Sequence, residues 1–213
     1  MSTGIQHHLE EIRDIAEKSF GTKRSHIWKE PGNKYEHGIR TAKLLFHLRD
    51  AMGESLGELP ADEVLTVAAW FHDICNGQEH HEEAGEQLLP SLIGHLCTEE
   101  ELAAVCDLVR VHDSRCSSPK KELSDGVLLL QDADLLDHLG TYSIWITFCE
   151  FCHLHKTPMD YAVQFENGVF DRFVNRHRTL VNFPVSLTVF DEKIQYEKDF
   201  ASRMMRELRG ELK

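Results

Sequence analysis

Apolar positions recur every three to four residues along nearly the whole chain, which predicts helix after helix. Ile5, Leu9, Ile12 and Ile15 place a first helix over residues 5–18. Glu30-Pro31-Gly32-Asn33 breaks the pattern, and a stripe of Ile39, Ala42, Leu45 and Phe46 restarts it over about 34–52. Residues 61–75, ADEVLTVAAWFHDIC, are apolar almost all round, as a centrally buried helix is. Two amphipathic helices follow, over 79–94 and 98–112. Ser117-Ser118-Pro119 interrupts the chain before a second buried helix over 123–139, LSDGVLLLQDADLLDHL. Helical spacing continues over 141–155 after Gly140. Asn182-Phe183-Pro184 marks a turn, and a last helix of alternating charge, about 190–211, is expected as an outer cover. With no period-two alternation and no internal repeat, the expected fold is all-α. The 213 residues suit one domain with a substantial core.

Charge narrows the range of partners. The formal net charge is -13, too acidic for the basic face that a nucleic-acid polymer requires. No run of 18 apolar residues offers a membrane span. The start, MSTGIQHHLEEIRD, lacks the basic and apolar regions of a secretory signal, so a cytoplasmic location is expected. A reducing compartment would keep the six cysteines as thiols. Cys149-Glu-Phe-Cys152-His153 matches a haem-attachment spacing only formally, since the run is apolar and helical. Cys149, Cys152, His153 and His155 crowd one helix too closely to surround zinc tetrahedrally.

The chain holds 14 histidines, many for its length, and some of its polar residues fall where core helices should be apolar. His72-Asp73 ends AAWFHDI. Asp134 follows Val127 and Leu130 along one face of LLLQDADLLDHL, and His37 shares a face with Thr41, Leu44, Leu45 and Leu48. A buried carboxylate needs a cation or hydrogen-bond donors. Any one of these residues alone is better explained as a satisfied core group or a cap. Two imidazoles and two carboxylates on three buried helices instead make a donor set suited to Mn, Mg, Co, Fe or Zn.

His37, then His72-Asp73, then Asp134, in the contexts YEHGIRTAKLL, VAAWFHDI and QDADLLDHLG, resembles the HD-domain superfamily of metal-dependent phosphohydrolases. The gaps are 35 residues from His37 to His72 and 61 from Asp73 to Asp134. The likeness covers about residues 26–150 and continues more faintly from about 165. It implies a single HD-domain helical bundle over 1–213, with its metal between central helices. The core would span about 26–155, with 156–213 a helical extension packed on it. It also implies Asp134, which follows Ala133, as the ligand rather than Asp132. His81, with His80 as its neighbouring alternative, and His112 would bind a second metal or act on substrate.

The implied activity is hydrolysis of a nucleotide or other small phosphate ester, with one or two divalent ions (Mn, Mg, Co, Fe, Ni or Zn). Arg40, one turn from His37, and Arg115, beside His112, are candidates for holding phosphate, because guanidinium forks match its geometry. Arg110 also flanks His112. Lys120 and Lys121 are better explained as solvated charges. Two rival classes remain. A di-iron HD oxygenase of a small diol or phosphonate would use four His and two Asp: His37, His72, Asp73, His81, His112 and Asp134. A non-catalytic metal-binding module would typically have lost a ligand. The sequence leaves a homo-oligomer open.

Overall fold

The computed structural model describes residues 4–114 and 122–211. It is helical throughout, and no strand occurs among the described residues. The helices are α1 (Ile5–Phe20), α2 (Asn33–Met52), α3 (Asp62–Phe71), α4 (His81–Ile93), α5 (Glu99–Val111), α6 (Asp125–Asp137), α7 (Thr141–His153), α8 (Pro158–Glu166), α9 (Val169–Arg178) and α10 (Pro184–Leu208). The chain divides into two compact units, Met1–Asp134 and Leu135–Lys213.

In the first unit α3 is the central rod. It packs against α1, α2 and α5, and α4 packs on α5. The sequence explains the placement: Val64, Leu65, Val67, Ala68, Ala69, Trp70 and Phe71 are all buried, so after its first turn α3 meets water only at Thr66. α2 comes unusually close to it at Gly38. A Cβ there would lie 2.8 Å from the Trp70 carbonyl oxygen, so only glycine permits the approach. α5 begins with a capping box in which Thr98 accepts from the Glu101 N–H and Glu101 from the Thr98 N–H. Glu101 also accepts from the Ile5 N–H, which ties α1 to α5. α6 is anchored by the Gln131 amide, which donates to the Val111 carbonyl at 3.2 Å. Its Gly126 lies against Leu65 and Leu108.

In the second unit α8 packs on α10, α7 and α9. Phe151, Tyr161 and Ala201 form its core, with Phe148, Phe165, Phe200 and Met204 against them.

Two boundaries differ from those expected, and two helices were not expected as such. The apolar run ends as a helix at Phe71, not at residue 75, because the chain turns repeatedly: Ile74 N–H donates to Phe71 O, Asn76 N–H to Asp73 O, and Gln78 N–H to Cys75 O. The last helix starts at Pro184, not 190; proline is favoured in a first turn, where its missing N–H is not needed. α8 and α9 fill a stretch in which no separate helices were placed. α8 opens with Thr157 and Asp160 in a capping box around Pro158.

Candidate metal centre

Each expected ligand comes from the end or the inner face of a helix of the first unit. His37 lies in the second turn of α2, on the face turned to α3. His72 caps the C-terminus of α3, and the turn after it carries Asp73 back toward the same point. Asp134 lies near the end of α6. His37 and His72 are 2% and 1% exposed, whereas the Asp134 side chain keeps 14%.

Their donor atoms converge. His37 Nε2 lies 3.1 Å from His72 Nε2 and 3.1 Å from Asp134 Oδ1. Asp73 Oδ2 lies 3.6 Å from His72 Nε2 and 3.8 Å from His37 Nε2, and Asp134 Oδ1 is 3.7 Å from His72 Nε2. Donors about 2.1 Å from a shared ion stand roughly 3.0–3.5 Å apart, so this spacing is that of a coordination shell. The protonation pattern points the same way. The His72 Nδ1–H donates to the Ala69 carbonyl at 2.8 Å, which leaves the Nε2 lone pair facing the cluster. Two carboxylate oxygens and that lone pair then surround His37 Nε2, which has at most one proton to share among them. A cation satisfies all four donors, so the residues fit a divalent metal.

A second group adjoins the first. Donor atoms of Asp73, His81 and His112 lie within 4.8 Å of one another. His81 is the first residue of α4 and His112 caps α5. The His112 Nδ1–H donates to the Val109 carbonyl at 2.6 Å, again freeing Nε2. Burial, reinforced by His72, lowers the pKa of His112 and keeps its ring neutral, as a ligand must be. Asp73 serves both groups: Oδ2 faces His37 and His72, while Oδ1 is 3.8 Å from His81 Nε2. Between the two neighbouring histidines, His81 turns inward with 19% of its side chain exposed. His80 takes a left-handed conformation and leaves 68% of its side chain in solvent.

Asp73 is the electrostatic centre. Burial pushes its pKa up, but the charges of His72, Lys34 and His37 outweigh this and hold it well below the usual carboxylate range. Asn76 also donates to Oδ1 at 3.2 Å. Lys34 donates directly to Oδ2 and is 13% exposed. The sequence reading missed Lys34; its signal was a place three residues before His37, on the same face of α2.

The other expected residues are less central. Arg40 is half-buried on α2, and its charge acts on Lys29. Arg110 pairs with Asp107 and Glu86. Arg115, Lys120 and Lys121 lie outside the described residues. Asp132 is fully buried in α6 and belongs to neither donor group. No helix among the described residues is long and apolar enough to cross a membrane.

Comparison with known proteins places this arrangement. The fold is that of an HD-superfamily hydrolase from Bacillus thuringiensis, with a TM-score of 0.67 and 20% identity over 96% of this chain and 98% of that one. A predicted HD-superfamily hydrolase from an uncultured Thermotogales bacterium is also similar, with a TM-score of 0.61 and 18% identity over 94% and 93%. YpgQ of Bacillus subtilis, solved in complex with ADP, has a TM-score of 0.63 and 15% identity over 98% and 96%. No curated protein matches the sequence. The family model of the HD domain matches residues 35–139, which contain His37, His72-Asp73, His81, His112 and Asp134, and this part of the chain is an HD domain.

Proposed function

We propose that the protein is a metal-dependent phosphohydrolase acting on a nucleotide or other small phosphate ester. The observation that carries this reading is the position of Asp73, grouped with His81 and His112, with its Oδ2 also 3.6 Å from His72 Nε2 and 3.8 Å from His37 Nε2 and bonded to the Lys34 ammonium. His37, His72, Asp73 and Asp134 would hold one divalent ion, and Asp73, His81 and His112 a second. A divalent ion at such a site offsets charge developing at phosphorus and acidifies water to supply a nucleophile near neutral pH.

The chain's own residues supply the rest. The carbonyls of Ala69 and Val109 hold His72 and His112 in the ligating tautomer. Lys34 has three donors and, among the described residues, makes a single hydrogen bond, to Asp73, which leaves capacity for a phosphoryl oxygen. His81 is the most open of the four cluster histidines. With a single ion bound, it is the residue placed to exchange a proton with a leaving group. The ADP complex of YpgQ, a protein of the same fold, supports a phosphate-bearing ligand.

The same six residues, four His and two Asp, also support a second reading as a di-iron oxygenase. Elemental analysis followed by a phosphate-release screen over nucleotides separates the two. Release with added Mn or Co, indifferent to oxygen, is expected. Two irons per chain with oxygen-dependent turnover would replace hydrolase with oxygenase.

A further inference from the structure

The second unit buries a hydroxyl that its own fold does not use. Tyr161 on α8 is 2% exposed, and its hydroxyl has no hydrogen-bond partner among the described residues. Leaving such a group without a partner costs about 1–3 kcal/mol, so few folded chains keep one without a reason. The ring, by contrast, is fully engaged. Phe148 stacks on it with centroids 4.9 Å apart, and Phe165, Phe200 and Phe151 lie at 5.2, 6.0 and 6.3 Å. Burial raises the pKa of the phenol, so the group keeps its proton and remains a donor.

Tyr161 lines a cavity of about 220 Å³ whose walls all come from the second unit. Of the four rings around it only Phe165 reaches the cavity, so Phe148, Phe151 and Phe200 cover it from behind. Glu197 lines the cavity too, and it acts electrostatically on the Tyr161 hydroxyl. The hydroxyl end of the side chain is therefore the end at the cavity. The Glu197 oxygens are turned to the Gly140 N–H and the Ser143 hydroxyl. Opposite them Phe165, Phe170 and Phe173 make an aromatic wall. Successive rings are 4.2 and 6.3 Å apart and inclined by 31° and 26°. Phe173 and Val169 keep 40% and 41% of their surface exposed, so the wall runs out to solvent. This wall is what the apolar face of α9 provides, since the helix buries only Val174.

We propose that this cavity binds a small neutral aromatic molecule bearing a carbonyl group, its ring against Phe165, Phe170 and Phe173 and its oxygen accepting from the Tyr161 hydroxyl. The size follows from the volume: a dry cavity of about 150 Å³ already accepts one benzene ring, so this one takes a ring with a short substituent. The flat shape follows from the wall, whose near-parallel rings favour an aromatic guest. Neutrality follows from the lining. An anion would lose its hydration beside Glu197 with no cation on the walls, and burial leaves Glu197 with a raised pKa, a poor counter-ion for a cation. The proposal is independent of the phosphohydrolase reading, since no lining residue belongs to the metal centre.

The test compares binding of benzamide, toluene and benzylammonium by calorimetry to the full chain, in wild type and Tyr161→Phe, with the Tm of each unliganded protein. Wild type should prefer benzamide, which has the acceptor, over toluene, which has only the ring. An uncharged hydrogen bond corresponds to about 3–10-fold in affinity. Tyr161→Phe should weaken benzamide by about that factor and leave toluene unchanged. Its unliganded Tm should be no lower than that of wild type, because the hydroxyl it removes has no partner in the fold. A cavity that merely hydrates would bind neither benzamide nor toluene, and that result overturns the proposal. So does a benzamide affinity that Tyr161→Phe leaves intact, or one that falls only in step with toluene. Tighter binding of benzylammonium than of benzamide would make this a cation site instead. A lower Tm in Tyr161→Phe would show that the hydroxyl serves the fold, and would also overturn the proposal.

Discussion

The two compact units each bury a carboxylate, and their surroundings treat it in opposite ways. Asp73, 6% exposed, sits among groups that carry or can take positive charge: His72, Lys34 and His37. Glu197 on α10, 2% exposed, sits among neutral donors. It accepts from the Gly140 N–H at 2.5 Å and from the Ser143 hydroxyl at 3.0 Å, with Lys193 acting from further away. Burial raises both pKa values. In Asp73 the cations overcome it and the acid stays ionised, while in Glu197 the donors only soften it and the pKa remains raised. Burial of an acid is therefore not by itself a sign of a reactive site. A convergence of cationic and imidazole groups on it is, and of these two acids Asp73 has it and Glu197 does not.

The largest effect should come from Asp73. Asp73→Asn preserves volume and removes the charge that both donor groups share. Metal content should fall to near zero, and turnover by ~10³-fold or more, since the ion supplies several kcal/mol of transition-state stabilisation. Elemental analysis and phosphate release on one sample check this. A variant that keeps its metal would break the contrast between the two acids at its root.

Asp134 and Asp132 extend the comparison within one helix. Both are acids of α6, and only Asp134 lies 3.1 Å from His37 Nε2. Asp134→Ala should lose metal. Asp132→Ala should keep it and lose stability instead, read as metal per chain beside the urea midpoint. The reverse outcome would move the site to the other carboxylate.

The sequence exposed the chemistry of the first unit better than its mechanics. His37, His72-Asp73 and Asp134 stood out because polar residues interrupted apolar helices, and Asp134 was preferred to the equally plausible Asp132 only through its motif context. Lys34 did not stand out, because a lysine in the first turn of an amphipathic helix looks like a solvated charge. Its contact with Asp73 exists only once the turn after α3 folds back. Glu197 was hidden in the same way. It lies in a helix of alternating charge expected as a cover, yet that helix buries Phe190, Ile194, Glu197, Ala201 and Met205 along one stripe. α9 escaped notice because VFDRFVNRHR buries only Val174.

Gly38 was unreadable for a related reason, since a glycine within a helix shows nothing of the backbone it will meet. Gly38→Ala should force α2 away from α3, at a cost of about 1–3 kcal/mol in urea unfolding. Metal affinity should fall with it, because His37 and His72 ride on those two helices. Gly126→Ala, against side chains rather than backbone, is the milder control. Equal costs for the two would mean that the approach of α2 to α3 is not special.

The smallest effect separates the two acids most sharply, because it lies in a sign. A folded pKa raised above the ordinary 4.5 means that the folded chain holds the Glu197 proton at pH values where the unfolded chain has released it. The contribution of this group to stability is then full below pH 4.5 and is lost as pH rises through the folded pKa. Asp73, with its lowered pKa, contributes in the other direction: its share is present above the ordinary 3.8 and is lost as pH falls through the folded value. Glutamine at 197 keeps an acceptor for the Gly140 N–H and has no proton to lose. The Tm of Glu197→Gln should therefore gain on wild type as pH rises from 4.5 to 7, with turnover unchanged within about twofold, as for residues remote from the reacting groups. A Tm difference that stays constant over that range would mean that Glu197 is ionised throughout. Its donors would then stabilise charge as well as the cations around Asp73 do, and buried acids in the two units could no longer be told apart by their company.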